Sequence, residues 1–446
     1  MRNCSFPWQK FVPATLLCAL VAPAQAGQSV GLLDVYQMAV LHDATLAQQR
    51  ATYQANKQVV TTARAALLPQ IQADGSYFVN DSDLPADAGD VDTRSLSLTL
   101  NQSLYDHASW ARYTQSKFSL EQAEYVIKAS EQDLIVRAAD AYFKVLLAQE
   151  DVKLGLAQEE SDKSQWERAK ASAEVGLASR TEVLQAKSSY DLSKSNRISY
   201  ENALDVAYEE LMKLTGKSLE SLKVLALQVD LPKELLEITD WENKAQKDNL
   251  SVKQFEAQAE SAAEEIEVQK SGHWFSAGLQ AKVTETDYSN FDSGYSGTYS
   301  DRTNTSIGVS VTLPLYSGGA TTSQVTQARY LYQSAFQGLR DSREQARLNA
   351  RIQVRSVERG ASLISALREA VKSNQAFLEA AEEGYKVGLQ SLLEVLTARS
   401  NFYNARRNLV EALHAQVLNR LNLEATVGDL KADDLAVYDA LLTNPN

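Results

Sequence analysis

Near its C-terminal end the chain reads GLQSLLEVLTARS from Gly388 to Ser400, and 212 positions earlier it reads GLASRTEVLQAKS from Gly176 to Ser188. Eight of these thirteen positions are identical, among them Gly176/Gly388, Glu182/Glu394 and Ala186/Ala398. An internal repeat limits the fold more than any other feature here, because both copies must follow one plan. The same offset aligns Thr114-Gln115 with Thr326-Gln327 and Gly216 with Gly428, with no insertion between them. Upstream, Tyr105 answers to Tyr316 and Leu68-Pro69 to Trp274-Phe275, at other offsets. Loops absorb length changes and packed helices do not, so the constant-offset part is the rigid part.

That rigid part reads as helix. No proline interrupts the tracts between Pro85, Pro232, Pro314 and Pro445, and their Ala, Gln, Glu, Lys and Leu content favours helix. From about Asp106 to Glu174, Leu134, Ala138, Ala141, Val145, Ala148 and Val152 step by four and three, the seam of a coiled coil. Ala346, Ala350, Val357, Gly360 and Ile364 form the matching seam. A helix over such a tract is roughly 100 Å long, far beyond the ordinary globular length. Shorter tracts, Leu32 to Leu68 and Thr181 to Lys213, are roughly half as long. Two short helices laid end to end therefore match one long helix.

Between short and long helices the period changes to two. Ser306-Ile307-Gly308-Val309-Ser310-Val311-Thr312-Leu313 alternates strictly, and Leu96, Leu98 and Leu100 alternate with Ser95, Ser97 and Thr99. Strands are expected at about 70–80 and 93–105 in the first repeat and about 275–287 and 304–316 in the second. An apolar outer face and a polar inner face are the pattern of a transmembrane β-barrel; a half-buried soluble sheet alternates in the same way.

Three observations favour the barrel. Tyr105, Tyr316, Trp274-Phe275 and Pro69 mark the helix-proximal strand ends, where an interfacial girdle sits. The strand connections are acidic, with Asp81, Asp83, Asp87, Asp90 and Asp92 in one and Glu285, Asp287, Asp292 and Asp301 in the other, as loops in water are. Residues 1–26 read as a cleaved secretory signal: Arg2 and Lys10, an apolar run from Phe11 to Ala22, then Ala24-Gln25-Ala26. Four strands cannot close a barrel, since the smallest have about eight, so the chain must oligomerise to span a membrane.

Both cysteines, Cys4 and Cys18, lie in that leader, and the bulky Leu17 before Cys18 argues against lipidation there. The mature chain is expected to hold no thiolate metal site or disulfide. Removing Arg2 and Lys10 leaves 42 basic against 57 acidic residues. Such a chain repels phosphate backbones, so nucleic acid is not an expected partner. His42, His107, His273 and His414 are scattered and none sits in an H-E-x-x-H frame. Thr215-Gly216-Lys217-Ser218 lacks the first glycine of a phosphate loop, and the acidic stretch from Asp81 to Asp92 lacks the glycine and bidentate glutamate of an EF-hand. No enzyme, cofactor or metal is expected.

In their order and spacing these features resemble the TolC-type outer-membrane channels of Gram-negative export systems. The resemblance rests on the tandem repeat, residues 27–230 and 231–446, and on Leu67-Leu68-Pro69-Gln70-Ile71 and Leu313-Pro314-Leu315-Tyr316-Ser317-Gly318-Gly319 at two helix–strand corners. It rests also on Val175-Gly176-Leu177 and Gly384-Tyr385-Lys386-Val387-Gly388 at two helix-hairpin tips, about 175–180 and 387–392. The implied fold is mainly α with a small β part: a homotrimer whose twelve strands form a barrel in outer-membrane lipid above a gated α-helical periplasmic tunnel. The implied partners are a periplasmic adaptor (membrane fusion) protein and an inner-membrane pump of ABC, RND or MFS type, reached directly or through the adaptor. Val175, Gly176, Leu177, Val387, Gly388 and Leu389 match the family's adaptor-contacting tips.

The resemblance also implies a gate. Tyr385 and Glu182 match a hydrogen-bonded pair that holds the tunnel shut, with Thr181 beside them, and Glu394 matches a constricting carboxylate ring. Two departures stand out: Thr397 replaces a second acidic residue, and Gln390 replaces an arginine that links neighbouring hairpins, so it cannot form a charged bidentate pair. One acidic ring, a closed state held less tightly and weaker block by multivalent cations are expected. A structural coiled coil or adhesin anchored by a small barrel is the alternative reading; it needs neither paired Val-Gly tips nor a full tandem repeat.

Overall fold

A computed structural model describes residues 29–80, 91–219, 221–229, 237–289 and 300–444. The expected leader and the acidic residues 81–90 and Asp292 lie outside the described residues. The first half runs α1 (Leu32–His42), α2 (Ala44–Ala65), β1 (Gln70–Asn80), β2 (Val91–Tyr105), α3 (His107–Glu174), α4 (Arg180–Thr215) and β3 (Val224–Leu225). The second runs α5 (Ile238–Asp248), α6 (Leu250–Lys270), β4 (Ser276–Ser289), β5 (Arg302–Thr312), α7 (Ala320–Lys386), α8 (Leu392–Thr426), α9 (Ala432–Asp439) and β6 (Leu442–Thr443). The long helices α3 and α7 have 68 and 67 residues, so each spans roughly 100 Å.

The short tract expected from Leu32 to Leu68 is two helices, broken at Asp43, and its counterpart is broken at Asn249. Each breaking residue is an N-cap: Asp43 Oδ1 accepts from Leu46 N at 2.7 Å, and Asn249 Oδ1 from Ser251 N at 2.9 Å. Each cap is tied to a long neighbour. Arg137 Nη1 of α3 donates to Asp43 Oδ2 at 2.9 Å, and Asn249 Nδ2 donates to the Thr426 carbonyl at 2.8 Å. The Arg137 guanidinium holds the Asp43 carboxyl below its usual range.

The four long strands form one antiparallel sheet in the order β1-β2-β4-β5. Register puts Ile71, Leu98, Leu100, Val283 and Ile307 on one face and Gln72, Thr99, Lys282 and Ser306 on the other. Among the described residues nothing covers the apolar face, where Ile307 is 75% exposed. β5 stops at Thr312, short of the expected 316, because Pro314 has no N–H for the ladder and Gly318 and Gly319 turn with φ of 63° and 86°. β2 starts before and β4 ends after the expected bounds, and Asp92, Glu285 and Asp287, which their acidity assigns to connections, stand on strands. Polar cross-strand pairs extend the ladder: Tyr77 Oη donates to Asp92 Oδ2 at 2.6 Å, and Arg94 lies opposite Asp287. At the helix-proximal end Tyr105 stacks on Phe275 at 4.8 Å and His107 on Trp274 at 5.3 Å.

α3–α4 and α7–α8 are antiparallel hairpins, while α2 and α6 flank the sheet-proximal halves of α3 and α7. Around the middle of α3, α1, α9, β3 and β6 wrap a core that includes Leu32, Val35, Leu134, Ala138, Tyr142 and Leu435. Tyr142 Oη donates to the Lys223 carbonyl at 2.7 Å, which satisfies a buried hydroxyl.

The repeats meet along their length through β2 on β4, α3 on α6, and α3 on α8, with smaller contacts of α1 on α9, β3 on β6 and α4 on α8. The repeat relation gives each of the first three a mate, namely β5 on β1, α7 on α2, and α7 on α4. Among the described residues β5 is not paired with β1, and neither helix mate packs along its length within the chain. The consequence is visible side chain by side chain. On α8, Val410 is 7% exposed, whereas its counterpart on α4, Ile198, is 52% exposed.

The α3–α8 junction is polar at one end and aromatic at the other. Arg406 Nη2 lies 2.9 Å from Glu150 Oε1 and Arg407 Nε 2.8 Å from Asp151 Oδ1. Burial raises the Asp151 carboxyl in spite of the Arg407 contact that opposes it. His414 packs on Phe143 at 4.8 Å, and burial pushes its imidazole down to about 4 from 6.5. The unfolded chain therefore binds a proton near 6.5 that the folded chain refuses until about 4. Stability is full above that window and falls by about 3 kcal/mol as pH drops through it. Denaturant titrations from neutral to acid pH are expected to show this slope in the wild type and to lose it in His414→Leu; an identical slope in both assigns the acid sensitivity elsewhere.

Candidate functional site

The two hairpin ends are built by the same backbone device. α3 ends with Gly176 at φ 75° and α7 with Gly388 at φ 74°. Leu177 N donates to the Ser172 carbonyl at 2.8 Å and Gly176 N to that of Ala173 at 3.1 Å. Leu389 N and Gly388 N donate to the Gly384 and Tyr385 carbonyls at the same two distances, 2.8 and 3.1 Å. These are paired Schellman caps, which require a left-handed residue. No atom lies within 4 Å of a Cβ built at either glycine, so conformation and not space demands glycine there.

The return helices start with equally matched capping boxes. Ser179 Oγ accepts from Glu182 N at 3.2 Å while Ser179 N donates to Glu182 Oε2 at 2.8 Å. Ser391 and Glu394 repeat this at 3.3 and 2.8 Å. The spacing Ser-x-x-Glu is itself a readable N-terminus signal, so each of the two glutamates singled out by sequence has a structural duty at its own cap. Both remain exposed.

Val175, Leu177, Val387 and Leu389 project from the turns, with Leu177 and Leu389 each 83% exposed. Thr181 and Thr397 are exposed, and Thr397 Oγ1 donates back to the Leu393 carbonyl at 2.8 Å. Tyr385 is half-buried among Trp166 and Ala169 of α3, Val183 and Ala186 of α4, and Leu392 and Leu396 of α8. It thus joins the two hairpins by packing. Among the described residues its hydroxyl makes no hydrogen bond, and the Glu182 carboxylate is committed to its own cap. With its amide nitrogen facing Glu394, Gln390 Nε2 lies 2.5 Å from Oε2 and 3.1 Å from Oε1. Gly384 makes room for this, since a Cβ there would stand 2.5 Å from Gln390 Cγ.

One group escaped the sequence reading. Arg399 of α8 is buried, pairs with Glu382 of α7, and keeps Nη1 without a partner among the described residues. Its charge lowers the carboxyl of Asp162 on α3, which burial raises on balance. The set links the two hairpins between about two and four turns behind the tip glycines. Among the described residues no helix is long and apolar enough to cross a membrane, and no His, Cys, Asp and Glu cluster could hold a metal ion.

Long helical hairpins with matched tips, joined to a small antiparallel sheet whose bare apolar face has the transmembrane pattern, define a mainly helical outer-membrane channel fold. The chain belongs to the outer membrane efflux protein family, whose sequence pattern matches residues 35–217 and 241–429, one stretch in each repeat. It is 30% identical to the outer membrane protein TolC of Escherichia coli (strain K12), over 98% of this chain and 90% of that protein. It is 29% identical to the proteases secretion protein PrtF of Dickeya chrysanthemi, over 92% of this chain and 90% of that one. The crystal structure of the Campylobacter jejuni CmeC outer membrane channel shares the fold, with a TM-score of 0.76 at 16% identity over 98% of both chains. This is a transport family, and the chain serves as an exit duct for efflux or type I secretion in the outer membrane of a Gram-negative bacterium.

Gly388→Ala is expected to cost roughly 1–2 kcal/mol by forcing an L side chain into the left-handed region. Amide hydrogen exchange should quicken at residues 386–392 and stay unchanged around Gly176. Equal protection in variant and wild type contradicts a conformational demand for glycine.

Proposed function

We propose that copies of this chain close into a trimeric ring that forms the duct: a twelve-stranded barrel in the outer membrane, continued by a helical tunnel across the periplasm. The observation that carries this reading is the set of three inter-repeat contacts made once in the chain and left open once. A neighbouring copy supplies each missing mate, placing β1 beside β5, α2 beside α7 and α4 beside α7. Exposed Leu363 on α7 and Ile198 on α4 then face another protomer instead of water. The count of three comes from the family resemblance and agrees with four strands per chain.

The hairpin tips are the periplasmic end, and their exposed Val175, Leu177, Val387 and Leu389 dock a periplasmic adaptor that connects to an inner-membrane pump. Apolar side chains carried on matched rigid turns suit such docking, since little ordering entropy is lost on contact. The relatives' names support a cargo route of either kind, efflux or protease secretion. The chain itself acts as a passive conduit without catalysis.

At the gate Glu394 provides one acidic ring, Glu182 and Tyr385 lie beside the closing contacts with Thr181, and Gln390 binds its own Glu394 rather than bridging to a neighbour. Conductance of the purified assembly in a planar bilayer tests the gate. Gln390→Arg is expected to reduce spontaneous opening, and Thr397→Asp to strengthen block by a trivalent cation about tenfold, by adding a second acidic ring. Opening and block unchanged in both variants contradict these assignments.

A further inference from the structure

Only three charged side chains stand on the polar face of the described strand residues: Asp74 on β1, Lys282 on β4 and Arg302 on β5. Asp74 and Arg302 occupy the two edge strands. Gln72 Nε2 donates to Asp74 Oδ1 at 2.6 Å, and Arg302 Nη2 donates to Tyr288 Oη at 3.4 Å. When β5 of one copy pairs with β1 of the next, these opposite charges share a seam and offset each other.

Lys282 differs. It lies on an inner strand, in register with Thr99, Ser306 and, one strand further, Gln72, all neutral. Its ammonium has no acceptor among the described residues. It stands six residues above Ser276, where β4 leaves the helices, or about 20 Å along the strand. The opposite face at that height carries Leu98, Leu100, Ala281, Val283 and Ile307, the middle of the apolar band. A lysine facing lipid there is destabilising; facing a water-filled lumen it keeps its hydration. Low-dielectric walls then focus its field along the channel axis.

We propose that Lys282 side chains from the assembled copies form a cationic belt at mid-height of the barrel lumen that binds multivalent oxyanions and tilts selectivity toward anions. The belt reverses the sign set elsewhere by the acidic chain, with 57 acidic against 44 basic residues, and by Glu394 at the far end. Single-sign rings of side chains are how pores select ions. The proposal rests on the closed-barrel reading.

The test uses the full mature chain in a planar bilayer, with inorganic tripolyphosphate added to either side and reversal potentials read in a potassium chloride gradient. Tripolyphosphate is expected to block from the barrel side. Lys282→Gln should raise the half-blocking concentration about tenfold and lower the chloride-to-potassium permeability ratio about twofold, and Lys282→Arg should keep both near wild type. A conducting Lys282→Gln channel with unchanged block and selectivity overturns the belt and leaves the duct intact. No conductance from the wild type contradicts the duct reading and the belt with it. If Lys282→Gln fails to insert, sidedness in the wild type decides, and block from the hairpin side alone overturns the belt.

Discussion

The outer edges of β1 and β5 carry backbone N–H and C=O groups with no partner among the described residues of the chain. In hydrocarbon each unsatisfied group costs several kcal/mol, which is why strands span membranes only as closed barrels. An outer-membrane chain with a four-stranded sheet is thus bound to seek further copies. The repeat carries this requirement down the molecule. Because α3 packs on α6 and α8 within the chain, α7 is left with two faces that have no extended contact with α2 or α4 of the same chain. Edge pairing in lipid and helix pairing in water therefore demand the same neighbour, which in the proposed assembly lets one ring continue from barrel to tunnel.

Against that shared scaffold, differences between the repeats acquire meaning. The tip backbones match in both caps, yet Gln390 lies on Glu394 while Ala178, its counterpart, can do nothing similar at Glu182. Arg399 is buried between hairpins, whereas its counterpart Lys187 sits exposed near Asp191 at 3.9 Å. A buried arginine bound to Glu382 and facing Asp162 resists separation of the hairpins, since parting leaves charges to be resolvated or stranded. Glu182 and Glu394 also hold their own helix starts, so a gate built on them is tied to helix stability.

Much of the fold is legible in the sequence because periodicity is local: small residues at coiled-coil steps mark α3 and α7, and strict alternation marks β2 and β5. What escapes is information spread across elements. The breaks at Asp43 and Asn249 depend on caps that look like many other Asp and Asn residues until Arg137 and the Thr426 carbonyl are brought alongside. Asp92 and Asp287 carry an acidity that signals water, yet their cross-strand partners Tyr77 and Arg94 keep both on strands. The capping boxes at Ser179 and Ser391 were readable from spacing alone. The Asp162–Glu382–Arg399 set was not, since its members come from α3, α7 and α8, and no local pattern links them.

In the proposed assembly the chain is completed by copies of itself through β1–β5 and α4–α7 contacts. Both native cysteines lie at positions 4 and 18, within the expected leader, and replacing them with serine leaves no thiol to compete with cysteine pairs introduced elsewhere. The most direct measurement is disulfide trapping in outer membranes, with Ala73→Cys on β1 combined in turn with Thr305→Cys, Ile307→Cys and Val309→Cys on β5. At least one register is expected to give a covalent ladder on non-reducing gels that stops at the trimer. Absence of intermolecular cross-links in every register, or a ladder that runs past the trimer, contradicts it.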